Sequence, residues 1–167
     1  MANWHDSERW MAMKAGVACP VCSNPGGGKP RSTVAELRVS YLSIKEDSPL
    51  RGYCCLVFYR HAVELHELSL SEAADLMADI QHVSAALDRV LQPAKINIEM
   101  HGNTMPHLHL HFYPRFPGDP YDGEAIQWRN AIKPVYAPDE FAPFVAAMRE
   151  ALANDGAKRI PKTKDTP

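Results

Sequence analysis

Helical spacing of apolar residues is clearest over residues 69–92. Ala73, Leu76, Met77, Ile80, Val83, Leu87, Val90 and Leu91 fall on one face. Ser69 stands three residues before Glu72, the spacing of a capping box, and Pro93 ends the run. The same period recurs from about 139 to 153, with Phe141, Phe144, Val145, Met148 and Leu152 on one face. A short helix is expected over about 5–15, around Trp10, Met11 and Met13. Residues 33–44 (TVAELRVSYLSI) are rich in β-branched and apolar types and read as one strand. The nearly continuous apolar run 53–59 (YCCLVFY) suits a strand buried on both faces. Residues 95–100 (KINIEM) alternate with period two, Gly102-Asn103 supplies a turn, and 107–113 forms a further strand, whose regular pairing Pro114 is expected to end. Residues 23–30 and 116–137 hold loop-forming Pro, Gly and Asp, and the residues after 155 have too little apolar content to pack. The order predicts an α+β fold, an antiparallel sheet with a long helix and a C-terminal helix, as one domain over residues 1–155 followed by a mobile tail over 156–167.

Composition changes this picture little. The chain has 167 residues, 46% apolar and 23% charged, with a formal net charge of −2. That is an ordinary globular composition, and it offers no basic field for a nucleic-acid partner, although a local pocket can still bind phosphate. No apolar run is long enough to span a membrane, and the opening MANWHDSERW lacks the apolar stretch of a secretory signal, so a cytoplasmic location is expected. Cys54 and Cys55 lie in an apolar run and read as small hydrophobes. Cys19-Pro20-Val21-Cys22 has three readings: a redox pair, inert thiols, or half of a four-ligand zinc site. A redox pair would open a helix, whereas a Gly/Pro loop follows here, and the zinc reading is preferred.

The chemistry concentrates at His107-Leu108-His109-Leu110-His111. On a strand the three imidazoles share a face, roughly 6.5–7 Å apart, and the leucines enter the core. Packing alone does not call for such a row, because each buried imidazole needs a partner. A neutral imidazole is a nucleophile at physiological pH. Such an imidazole attacking phosphorus would give a phosphoramidate for water to resolve, provided a backbone carbonyl fixes its other nitrogen. His111, Thr104 and backbone N–H groups would meet the developing charge. The rivals are a metal-dependent hydrolase using all three histidines as catalytic ligands and a nucleotide-binding module with little activity.

The run His107-Leu108-His109-Leu110-His111-Phe112-Tyr113, with Pro114-Arg115 after it, resembles the His-φ-His-φ-His-φ-φ signature (φ apolar) of the histidine-triad (HIT) family. The likeness extends back through Gly102-Asn103-Thr104-Met105-Pro106, Asn97, the long helix and Leu56-Val57-Phe58-Tyr59-Arg60-His61, covering roughly residues 19–115. It is greatest to the diadenosine tetraphosphate hydrolase-like branch. The resemblance implies a HIT-like fold and reaction at the α-phosphate of a dinucleoside polyphosphate or related nucleotide conjugate, through a nucleotidyl–His109 intermediate. It assigns His111 to the α-phosphate, Asn103 and Thr104 to phosphate or leaving group, Asn97 to the nucleotide and Asp47 to the ribose. Many members carry Gln where Asn103 stands, which leaves the leaving group open. It also implies a structural zinc on Cys19, Cys22, His61 and His107, with His66 the alternative to His61, and no organic cofactor. A homodimer through the long helix and central sheet is implied too; the apolar face of 70–91 suits either that contact or the chain's own core. Arg115 reads equally as a phosphate ligand or as the partner of a surface acid. His5, His82 and His101 read as surface or local structural residues, and Trp128 as a cover for the site or a dimer contact.

Overall fold

The computed structural model describes residues 3–23, 32–121, 123–127 and 133–155. The loop expected over 24–30, Trp128 and the tail 156–167 lie outside the described residues. In chain order the elements are α1 (Ser7–Lys14), β1 (Thr33–Glu36), β2 (Ser40–Ser43), β3 (Cys54–Phe58), α2 (Leu70–Leu91), β4 (Lys95–Met100), β5 (His109–Arg115) and α3 (Phe141–Asp155). The strands form one antiparallel sheet in the order β1-β2-β3-β5-β4, so the α+β expectation holds.

Helix α2 starts where its capping box predicts. The Ser69 side chain accepts from the Glu72 N–H, and the Glu72 carboxylate accepts from the Ser69 N–H. Leu76, Val83 and Leu87 face inward and meet Phe144, Met148 and Leu152 of α3 on one face of the sheet, against Leu42, Leu56, Phe58, Leu110 and Phe112. Each such side chain contributes about 1.5–3 kcal/mol by leaving water. The apolar stripe of α2 is therefore used by the chain's own core. Ala73 and Met77 are the exceptions: both are exposed, Met77 at 55%.

Three expectations about the strands need correction. Residues 33–44 are two strands, not one, because Leu37–Val39 turn the chain and β1 folds back on β2. The turn is held from a distance. The buried carboxylate of Asp79, on α2, accepts from the Arg38 N–H (3.1 Å), the Val39 N–H (3.1 Å) and the Ser40 hydroxyl (2.6 Å). The histidine strand begins at His109, because the His107 N–H donates back to the Met105 carbonyl and turns the backbone there. Finally, Pro114 does not end pairing: β5 runs on to Arg115, opposite Lys95 and Ile96 of β4. The Ala94 N–H donates to the Arg115 carbonyl, so Pro114 turns its nitrogen the other way, past Cys54, the last β3 residue paired with β5. No ladder bond is lost there.

Gly52 sets the approach to β3. It sits at φ +82°, and a Cβ there would come within 2.4 Å of Leu91 Cδ1 and 3.0 Å of Pro114 Cγ. The described residues between β5 and α3 contain turns but no helix or strand, as their composition predicts.

Candidate active site and metal centre

Cross-strand partners in a sheet share a face. Asn97, Glu99, His109, His111, Tyr113 and Cys55 therefore lie on the face opposite the helices. His109 is 6% exposed. Its Nδ1 lies 2.6 Å from the His107 carbonyl oxygen. A carbonyl only accepts, so Nδ1 carries the hydrogen and Nε2 keeps its lone pair. Burial, with His101 acting in the same direction, holds this imidazole below its ordinary pKa. A half-exposed His111 ring stands edge-on to it, centroids 4.8 Å apart. Burial, then the neighbouring His109 and His101, push His111 down to about 4. Both rings are thus neutral at physiological pH.

The residues around them are placed unevenly. Asn103 and Thr104 sit exposed on the loop from β4 to β5, just ahead of His107. Asn97 is half-buried on β4, opposite Tyr113. Asp47 is 83% exposed and ion-pairs with Lys133; the structure does not bring it to the histidines through any contact described. Arg115 is committed to its own loop, with its guanidinium on both oxygens of Asp119 and on the carbonyls of Tyr121 and Glu124. Of its two readings, the acid partner is the one observed, and the acid is buried.

Cys19, Cys22, His61 and His107 converge, their ligand atoms all within 4.8 Å of one another. Nδ1 of His107 lies 3.4 Å from Cys19 Sγ and 3.6 Å from Cys22 Sγ, and Nδ1 of His61 lies 3.4 Å from Cys22 Sγ. The two Nδ1 atoms are 3.3 Å apart. A tetrahedral zinc with ordinary Zn–N and Zn–S bonds has edges of about 3.3–3.4 Å between nitrogens and about 3.5–3.6 Å between nitrogen and sulfur. Each histidine also directs Nε2 at a carbonyl, His107 at Phe58 and His61 at Lys14, both at 2.8 Å. Those bonds leave two Nδ1 lone pairs facing each other, an arrangement a cation relieves and a hydrogen bond does not. His66 lies outside the group, exposed on the short turn Leu65–Glu67. Among the described residues this is the one place where three or more such ligands gather, and it takes His107 but neither His109 nor His111. The three histidines thus divide between two sites.

Two neighbours of His111 are not among the site residues expected from the sequence, although His101, next to Gly102, is in a position to approach a substrate. The Tyr53 hydroxyl is 2.8 Å from His111 Nδ1, with the rings stacked. Tyr53 stands outside the histidine motif, in what reads only as an apolar strand. His101, read as a surface or local structural residue, has its ring 5.6 Å from that of His111 and pairs with Glu99 at 2.9 Å. The period-two alternation of 95–100, carried one step further, is the signal that puts Glu99 and His101 on the histidine face.

The family model of the HIT domain matches residues 28–118. Among curated relatives, the asymmetrical bis(5'-nucleosyl)-tetraphosphatase of Schizosaccharomyces pombe is 26% identical over 145 residues, 77% of each chain. An AP-4-A phosphorylase of Mycobacterium tuberculosis is 34% identical over 74 residues, 41% of this chain and 38% of that one. The crystal structure of a histidine triad protein from Bradyrhizobium japonicum superposes with a TM-score of 0.64 at 29% identity, covering 72% of this chain and 89% of the other. With the family match spanning more than half of the sequence and the paired histidine strand at its centre, the chain belongs to the HIT domain family.

Proposed function

We propose that the protein is a nucleotide hydrolase or transferase in which Nε2 of His109 attacks the α-phosphorus of a dinucleoside polyphosphate or related nucleotide conjugate. The observation that carries this reading is the 2.6 Å contact from His109 Nδ1 to the His107 carbonyl, which leaves the outward nitrogen unprotonated and fixes its direction. The new Nε2–P bond forms as the bond from phosphorus to the leaving oxygen breaks. Water then displaces the histidine, releasing a nucleoside monophosphate. His111 faces the same side and meets the phosphoryl oxygens. Asn103 and Thr104 contact phosphate or leaving group from the preceding loop, and Asn97 positions the nucleotide from β4. The ribose role of Asp47 rests on the resemblance alone. The names of the tetraphosphatase and the phosphorylase support nucleotide chemistry, and they differ in the acceptor, water or phosphate.

The test is His109→Asn. Turnover of adenosine and guanosine polyphosphates is expected to fall by about three orders of magnitude or more, while the variant folds and binds nucleotide as before. Wild-type activity in that variant would sink the mechanism. Comparing products with and without inorganic phosphate separates hydrolysis from phosphorolysis.

Cys19, Cys22, His61 and His107 are proposed to hold a structural zinc. Four protein ligands close the site to substrate, so the metal would fix geometry rather than take part in the reaction. The protein is also proposed to be a homodimer. Strand β4 is a sheet edge that exposes Ile98 (42%) and Met100 (40%), an apolar edge of the kind that pairs with another chain. Sedimentation is expected to give a dimer, and Ile98→Glu a monomer; an unchanged dimer in the variant would place the interface elsewhere.

A further inference from the structure

His109 and His111 both present Nδ1 to a fixed partner, but the partners differ in kind. For His109 the partner is a carbonyl, which only accepts. For His111 it is the Tyr53 hydroxyl at 2.8 Å, which can donate. We propose that the Tyr53 hydroxyl donates to His111 Nδ1 and so holds His111 as the Nε2–H tautomer, opposite to His109, making Tyr53 a positioning residue for the phosphate contact. This rests on the reading of His111 as that contact.

Three observations support this direction. Tyr53 is 6% exposed and its ring stacks on His111, so the pair has little freedom to reorient. Burial pushes the Tyr53 phenol well above its usual range, so it stays protonated. The hydroxyl also meets the side chain of Cys55, the residue opposite His111 in the sheet. That thiol is itself pushed up to about 11, chiefly by burial, so it stays protonated and is a weak acceptor. A phenol donates far better to an imidazole nitrogen than to sulfur, so of these two neighbours His111 Nδ1, at 2.8 Å, is the better acceptor for the Tyr53 O–H.

The consequence is chemical. A neutral His111 with a lone pair on Nε2 would repel a phosphoryl oxygen, whereas Nε2–H donates to it without being protonated. The nucleophile and the donor are thereby distinguished on one strand by what sits behind each ring.

Nitrogen-15 NMR of the imidazoles in the full chain at neutral pH tests this, with His111 assigned by the peaks that His111→Gln removes. Wild type is expected to show His111 protonated on Nε2 and bare on Nδ1. In Tyr53→Phe, which keeps the stacked ring, both shifts should move toward a tautomer mixture. Its kcat should fall about 10- to 100-fold, the scale for a residue that orients a functional histidine, with KM changing less. A wild-type His111 carrying its hydrogen on Nδ1, or a tautomer unmoved in Tyr53→Phe, overturns the proposal. The wild-type spectrum decides even if the variant does not fold. A wild type with the expected tautomer that turns over no nucleotide would remove the nucleotide reading and leave the assignment of the Tyr53 bond standing.

Discussion

Arg115 follows the histidine motif directly and is cationic, yet its surroundings give it no freedom to meet a substrate. Its side chain is 10% exposed and that of Asp119 is 5% exposed. The pair makes two charge-assisted bonds, at 2.7 and 2.9 Å. Asp119 also accepts from the Phe116 and Tyr121 N–H groups. Together they fold the segment after β5 so that Tyr121 and Ile126 cover Leu50, Tyr53 and Tyr113. Asp119→Asn would leave the guanidinium charge buried without its counter-ion, at a cost of about 3–5 kcal/mol. A denaturant midpoint that stays unchanged would refute this. The bond to Arg115 lowers the Asp119 pKa first among its causes. The carboxylate therefore contributes stability that is present above its unfolded value of about 3.9 and is lost as pH falls through the lower folded value. Acid titration of wild type should show that loss, and Asp119→Asn should flatten it.

Among the elements, the β1–β2 hairpin depends most on a distant residue. Asp79 is 2% exposed in the middle of α2 and takes three hydrogen bonds from Arg38, Val39 and Ser40. Asp79→Leu would strand two backbone N–H groups and a hydroxyl, each costing about 1–3 kcal/mol. The expected result is a loss of about 3–6 kcal/mol and early amide exchange confined to β1 and β2; uniform exchange across the sheet would contradict it. This contact also explains why the hairpin was not legible in the sequence. Leu37-Arg38-Val39 contains no Gly, Pro, Asn or Asp to mark a turn, and the carboxylate that makes the turn lies 40 residues away. What local chemistry dictates was legible: the capping box of α2, the α3 stripe and the alternation in β4. The separation of His107 from His109 and His111 was legible only in part. Two-residue spacing says that three imidazoles alternate, but the hydrogen bond from His107 to Met105, which ends that regularity, is a property of the loop. Tyr53 and His101 reach His111 across the sheet, through register that no single segment encodes.

At the scale of the whole molecule, the Cys₂His₂ group joins three separate parts of the chain: the segment after α1, the end of β3 and the entry to β5. His61 reaches Lys14 at the end of α1, and His107 reaches Phe58 at the end of β3. The same His107 offers its carbonyl to His109. The proposed metal centre and the proposed nucleophile would thus share one residue, its side chain serving the first and its backbone the second. A zinc at this position would act on both stability and rate. Metal analysis is expected to give one zinc per chain. At a free concentration about a thousandfold above its dissociation constant, zinc adds about 4 kcal/mol, or about 8–16 °C in Tm for a chain of this size. Chelation should remove that increment, free residues 3–23 to proteolysis and lower kcat, because the His107 carbonyl would no longer be held under His109. Cys19→Ser should do the same, whereas His66→Ala should keep its zinc. His109→Asn separates the shared duties in the other direction, losing turnover while retaining both the metal and the Tm increment. Loss of zinc in His109→Asn, with zinc retained in Cys19→Ser, would instead assign the metal to the catalytic row and return all three histidines to one site.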